Sequence, residues 1–138
     1  MSVSRPRILV VDDLPDWQMT LRGLLTDEGY SIETAASTAE AVGLLETQRF
    51  EAALLDMRLD ESDESNTEGL TLAQTIRQRW PSTKVVVFTG YGTQETVKRA
   101  RAPDVNGAYL ADDFLPKTET VKLLDTLRHL LTNRTTSP

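Results

Sequence analysis

Short apolar runs without polar alternation recur along the chain. Runs of this kind are typical of strands that are buried on both faces of a parallel sheet. They predict strong strands at 7–11, 52–55 and 84–88, a weaker strand at 30–35 and a short last strand at 113–115. The central run, 52–55, passes directly into Asp56. Taken alone, Asp56 could simply end a strand.

Segments with helical spacing of apolar residues separate these runs. Pro15 suits the first turn of a helix that ends at Gly29, and Ser37 to Glu40 form a capping box for the next helix. We expect a short helix at 93–101 and a final helix capped by Thr118. The predicted buried faces are Trp17, Leu21, Leu24 and Leu25; Ala41, Leu44, Leu45 and Gln48; Leu72, Ala73, Ile76 and Trp80; and Leu124, Leu127 and Leu131.

Strands alternate with helices five times, which predicts an α/β fold with a doubly wound parallel sheet. We expect one domain over 1–131 and a disordered tail over 132–138, because TNRTTSP has nothing to bury. In such sheets, ligands bind at the carboxyl ends of the strands. Polar residues stand at these ends: Asp12 and Asp13, Asp56, Thr89 and Lys117.

Composition limits the chemistry that these residues can perform. The 138 residues contain no cysteine and one histidine, which excludes disulfides, thiolate zinc sites and cysteine nucleophiles. A net charge of −6 argues against direct nucleic-acid binding by this domain. No segment approaches membrane-spanning length and no apolar run precedes the first strand, so we expect a cytoplasmic protein.

Carboxylates crowded at one edge of a sheet need a counter-charge. If the first and third strands are neighbours, Asp12, Asp13 and Asp56 share a pocket, and they either protonate or recruit a cation. An oxygen-rich, partly open site suits Mg²⁺. With the hydroxyl of Thr89 and the cation of Lys117, the set has the parts needed for phosphoryl transfer.

This set of residues, each at its own strand end, resembles the receiver domain of two-component response regulators over about 7–131. The resemblance implies the flavodoxin-like strand order 2-1-3-4-5 and a partner that is a histidine kinase or phosphotransfer protein. It implies a non-enzymatic signalling domain that assists its own Mg²⁺-dependent phosphotransfer and dephosphorylation. The implied roles are phosphoacceptor for Asp56, Mg²⁺ ligands for Asp12, Asp13, Asp56 and the backbone carbonyl of Arg58, switch hydroxyl for Thr89, phosphate-pairing cation for Lys117 and aromatic switch for Phe114.

The chain departs from the family pattern in three places. Thr118 follows Lys117 where the family usually has proline, so we expect no cis peptide there. The loop at 60–68 is long and acidic, and an extra segment lies near 103–109. A calcium loop starting at Asp60 is excluded, because Ser65 and Thr71 occupy the positions that require glycine and glutamate.

Other functions fit less well. An aspartate-nucleophile phosphatase needs an acid two residues after Asp56, where this chain has Arg58, and a flavodoxin-like cofactor site would not begin with two aspartates. A receiver-like scaffold that is never phosphorylated stays open as the alternative. Two interpretations also stay open for Leu123 and Leu130 of the last helix: a face through which two copies associate, or simple burial.

Overall fold

The computed structural model describes residues 5–56, 68–89, 113–116 and 120–135. Within these ranges the chain forms five strands and four helices. In chain order they are β1 (Arg7–Val11), α1 (Pro15–Asp27), β2 (Ser31–Ala35), α2 (Thr38–Thr47), β3 (Ala52–Leu55), α3 (Glu68–Arg79), β4 (Lys84–Thr89), β5 (Asp113–Pro116) and α4 (Thr120–Thr135).

The strands form one parallel sheet in the order β2-β1-β3-β4-β5, as predicted. β1 and β3 are neighbours, with Val11 opposite Leu55. Their carboxyl ends therefore lie side by side. This pairing brings together the first and third strands, on whose adjacency the predicted acidic site depends.

Helices cover both faces of the sheet, which explains why the central strands carry no polar alternation. α1 and α4 pack on one face through Leu21, Leu25 and Leu127, among others, and α2 and α3 pack on the other through Leu45 and Ile76. All four residues of β3 are buried. The sheet is thus the middle of three layers.

The helix boundaries follow the local sequence signals. Pro15 is the first residue of α1, and Gly29 adopts φ +96° after that helix, in the left-handed region where glycine carries no steric penalty. Ser37 Oγ accepts the Glu40 N–H at 3.2 Å, while Glu40 Oε2 accepts the Ala36 N–H at 2.6 Å. The predicted capping box is therefore present, with its return bond displaced by one residue toward the N-terminus.

The last helix differs from the prediction in its buried face. Leu123, Leu127 and Leu131 are buried, whereas Leu124 and Leu130 are partly buried against the same core. The predicted stripe beginning at Leu124 was wrong at that residue, and simple burial is the correct interpretation of Leu123. Both stripes satisfy helical spacing, so docking against the sheet decides the rotation of the helix.

Two further details correct the expected boundaries and burial. α4 continues to Thr135, so residues 132–135 are helical where a disordered tail was expected; backbone hydrogen bonds can extend a helix beyond its last buried side chain. Trp80 is only half-buried, with the Arg79 guanidinium 4.4 Å from its ring centroid. Several expectations fall outside the described residues: the cap at Thr118, the helix at 93–101, the acidic loop up to residue 67 and the segment 103–109.

Among the helices in the part of the chain that the structure describes, none combines the length and the apolar character that crossing a membrane requires.

The corrected register of α4 can be tested with two adjacent leucines. We expect Leu123→Ala to lower the free energy of unfolding by about 2–5 kcal/mol, because it opens a cavity in the core. Leu124→Ala should cost clearly less, since that side chain is only partly buried. Val121→Ala, at a side chain that is 80% exposed, is the control and should change stability by about 0.5 kcal/mol or less. Urea unfolding of the three variants measures this order, and a larger loss for Leu124→Ala would contradict the register.

Candidate functional site

The hydrogen bonds of the sheet continue one residue beyond β1 and β3. The Asp56 N–H donates to the Val11 carbonyl at 2.9 Å, and the Asp12 N–H donates to the Ala35 carbonyl at 3.0 Å. The main chain of both aspartates is therefore held by neighbouring strands. These bonds therefore fix the backbone from which both carboxylates project.

Three carboxylates meet at this edge, as the sequence predicted. One ligand oxygen from each of Asp12, Asp13 and Asp56 lies within 4.8 Å of the others. Asp12 and Asp56 are each 2% exposed, and Asp13 is half-buried. The Oδ1 atoms of Asp13 and Asp56 are shielded from solvent. The cluster is thus a pocket in the sheet edge rather than a solvated acidic surface.

Asp12 also organises the start of α1. Its Oδ1 accepts the Leu14 N–H at 2.9 Å, which closes an Asx turn before the helix. Leu14 is the N-cap and supplies no side-chain cap, and the Asp12 bond fixes the N–H of this N-cap residue rather than an N–H of the first helical turn. The Asp12 carbonyl accepts Nε2 of Gln18 at 2.6 Å. These two bonds give Asp12 a structural role at the start of α1.

The charges of the cluster favour a cation. Two full negative charges 4.8 Å apart repel by about 3 kcal/mol at an effective dielectric near 20. The ligand atoms on offer are all carboxylate oxygens, the type that hard divalent ions prefer, and no thiolate exists anywhere in the sequence. The donor set therefore fits Mg²⁺.

The remaining predicted site residues are placed only in part. Thr89 ends β4 opposite Pro116, and Phe114 pairs with Val87, so both backbones reach the correct strands. Only the backbones of Thr89 and Phe114 belong to the described part of the structure. Arg58 and Lys117 lie outside it entirely. The switch, phosphate-pairing and carbonyl-ligand roles of these four residues stay predictions.

Two neighbouring residues of α1 reach this region in ways that the sequence analysis missed. Gln18 lies on the helix but bonds back to the loop, and a glutamine at a partly exposed helical position gives no sequence signal of such a bond. Trp17, predicted only as a core residue, meets Phe88 edge-to-face with ring centroids 6.0 Å apart. Phe88 immediately precedes Thr89, so α1 contacts both Asp12 and the end of β4.

The fold and this pocket define a class: a doubly wound α/β domain with an oxygen-ligand site at the carboxyl edge of its sheet. The chain matches the sequence model of the response regulator receiver domain over residues 8–128, and it belongs to that family. It is thus a receiver domain of the kind found in two-component signalling.

Individual relatives agree with this assignment. The nitrogen assimilation regulatory protein NtrX of Azorhizobium caulinodans is 34% identical over 125 residues, which are 88% of this chain and 26% of NtrX. The response regulator TrrA of Thermotoga maritima, solved in complex with Mg²⁺–BeF, has a TM-score of 0.73 at 28% identity, covering 91% of this chain and 99% of TrrA.

A third similarity is to a response regulator of Burkholderia pseudomallei, solved with a phosphorylated aspartic acid, a calcium ion and citrate. Its TM-score is 0.72 at 30% identity, covering 93% of this chain and 68% of that protein. By contrast, this chain spans only about a quarter of the length of its curated relative NtrX.

The repulsion within the pocket predicts that removing one charge stabilises the metal-free protein. In EDTA, Asp13→Asn and Asp56→Asn should each raise the free energy of unfolding by roughly 1–3 kcal/mol, because a neutral amide replaces a crowded carboxylate. Asp125→Asn on the exposed face of α4 makes the same change in net charge and should shift stability by about 0.5 kcal/mol or less. Urea titrations provide the comparison. Equal effects at all three positions would contradict a local origin.

Proposed function

We propose that this receiver domain accepts a phosphoryl group on Asp56 and thereby controls a partner or an output domain. The donor is a histidine kinase or a phosphotransfer protein. Mg²⁺ is held by the carboxylates of Asp12, Asp13 and Asp56 and by the backbone carbonyl of Arg58. The observation that carries the proposal is the pocket itself, in which three carboxylate oxygens lie within 4.8 Å of one another at the carboxyl edge of the sheet.

In the proposed reaction, a carboxylate oxygen of Asp56 attacks the phosphorus atom of a phosphohistidine. The new O–P bond forms as the P–N bond breaks, and the imidazole leaves with the electron pair of that bond. The product is an acyl phosphate, which water later hydrolyses to carboxylate and inorganic phosphate. Mg²⁺ supplies charge neutralisation for the phosphoryl oxygens and for the crowded carboxylates.

The protein's own part in this chemistry is positioning. The Asp56 N–H bond to Val11 holds the nucleophile at the strand end, and burial of Asp56 limits the access of water to it. Asp13 sits beside it as a ligand, and Asp12 fixes the turn from which Asp13 projects. Lys117 is proposed to pair with one phosphoryl oxygen, and Thr89 to hydrogen-bond to another.

The relatives support this assignment by analogy. TrrA was solved with Mg²⁺ and BeF, and beryllium fluoride is a mimic of a phosphoryl group. The Burkholderia protein carries a phosphorylated aspartic acid together with a calcium ion. Both combine a hard divalent ion with a phosphoryl-like group, which is the combination that we propose for Asp56.

The signalling context is part of the proposal. We place the reaction in the cytoplasm, where the ATP that charges such a kinase is made, and we propose no direct contact with nucleic acid because the net charge is −6. Association of two copies through the last helix stays a prediction. That prediction depends on exposure of Leu123 and Leu130, and Leu123 is buried. Among the described residues of α4, the large apolar side chain that is exposed is Val121.

Phosphorylation of Asp56 can be tested by intact mass. We expect wild type, incubated with acetyl phosphate and Mg²⁺, to gain about 80 Da, the mass of one phosphoryl group replacing a proton. Asp56→Asn should gain nothing, and EDTA should abolish the gain in wild type because the crowded charge is then not neutralised. A gain in both proteins, or in neither, would overturn the assignment and favour the scaffold that is never phosphorylated.

Readout should be separable from acceptance. Thr89→Ala should still be phosphorylated but should lose most of the conformational response, because nucleophile and metal ligands remain while the sensing hydroxyl is gone. Trp17 fluorescence in a Trp80→Phe background measures that response, since Trp17 contacts Phe88 next to Thr89. Lys117→Ala should keep much of its Mg²⁺ affinity but respond poorly. Thr71→Ala on the exposed face of α3 is the control, and a full fluorescence change in Thr89→Ala would contradict the switch role.

A further inference from the structure

A hydrogen bond ties the first turn of α1 to the Asp12–Asp13 segment that follows β1. Nε2 of Gln18 donates to the carbonyl of Asp12 at 2.6 Å, a short distance for an amide donor. Asp12 is 2% exposed and Gln18 is half-buried, so water competes weakly for this bond. The bond therefore holds the loop against the helix that follows it.

The acceptor of this bond belongs to the peptide plane between Asp12 and Asp13. Because a peptide group is planar, fixing its carbonyl also fixes the direction of the Asp13 N–H and the position of the Asp13 Cα. The Asp13 carboxylate projects from that Cα toward Asp12 and Asp56. Rotation of this one peptide would therefore move Asp13 relative to the phosphoacceptor.

Two other bonds near Asp12 hold different groups. The Asp12 N–H bond to Ala35 holds the preceding peptide, and the Asp12 Oδ1 bond to Leu14 holds a side chain. The Gln18 bond holds the Asp12 carbonyl itself. Trp17, packed on Phe88, anchors the helical turn from which Gln18 reaches back.

We propose that Gln18 is a positioning residue for the divalent-cation site, acting through the Asp12–Asp13 peptide on the Asp13 carboxylate. This inference rests on the proposed function, because the cation is part of that proposal. Mg²⁺ requires near-ideal octahedral geometry at short distances, whereas Ca²⁺ tolerates irregular sites. A loosened Asp13 should therefore weaken Mg²⁺ more than it weakens Ca²⁺.

The test replaces Gln18 with methionine, which has similar length and helix propensity but no donor. We expect Gln18→Met to bind Mg²⁺ about three- to tenfold more weakly than wild type, the loss expected for one hydrogen bond. Binding is followed by Trp17 fluorescence in the Trp80→Phe background. Gln78→Met, the same substitution at an exposed position of α3, is the matched control and should leave the Mg²⁺ affinity unchanged.

Two further readouts separate positioning from general destabilisation. First, the ratio of Mg²⁺ to Ca²⁺ affinity should fall in Gln18→Met, whereas a loss of global stability would not alter it. Second, Gln18→Met should have little further effect when Asp13 is already Asn, because the carboxylate that it positions is gone. Gln18→Ala, which also lacks the donor, repeats both measurements if the methionine variant folds poorly in EDTA.

The outcomes distinguish this inference from the function on which it rests. Wild type that fails to bind Mg²⁺ would overturn the cation site itself. Wild type that binds, together with an unchanged affinity and an unchanged Mg²⁺ to Ca²⁺ ratio in Gln18→Met, would overturn only the role of Gln18. Additive losses in the double variant with Asp13→Asn would also overturn it, because Gln18 would then act on something other than Asp13.

Discussion

Repulsion among the carboxylates of Asp12, Asp13 and Asp56 is the constraint on which the functional end of this molecule depends. One oxygen from each lies within 4.8 Å of the others, and two of the three side chains are almost fully buried. The unfolded chain would avoid such an arrangement, because no contact would be lost when the charges move apart. The folded protein maintains the arrangement because the stability of the whole sheet opposes that separation.

The sheet enforces the arrangement through its backbone. β1 and β3 pair in register, and the ladder extends beyond them to the Asp56 N–H and the Asp12 N–H. Apolar side chains on both faces lock these strands, with α1 and α4 on one side and α2 and α3 on the other. The energy that holds like charges together thus comes from burial of apolar surface elsewhere in the domain. Binding of a divalent cation or a phosphoryl group changes the net charge of the pocket. A pocket that already holds repelling charges is well suited to respond to that change.

α1 links this pocket to the neighbouring strand. Asp12 holds the N–H of its N-cap residue Leu14, its Gln18 holds the Asp12 carbonyl, and its Trp17 meets Phe88 at the end of β4. One helix therefore contacts the proposed metal ligands and the strand that carries the proposed switch hydroxyl. Packing and hydrogen bonds thus connect the pocket to the strand that ends at Thr89.

The sequence by itself predicted the described strands, several helix boundaries and the acidic site at the strand ends. Continuous apolar runs identified the strands, Pro15, Gly29 and the Ser37 to Glu40 box marked helix ends, and strand-end aspartates indicated an oxygen-ligand site. These features are local, because each depends on residues adjacent in the chain.

The tertiary structure decided what local patterns leave degenerate. Two leucine stripes of α4 had acceptable helical spacing, and docking buried Leu123 rather than Leu124. The bond from Gln18 to the Asp12 carbonyl likewise left no trace in the sequence, because its acceptor is a backbone atom that every residue possesses and only the folded turn places it within reach.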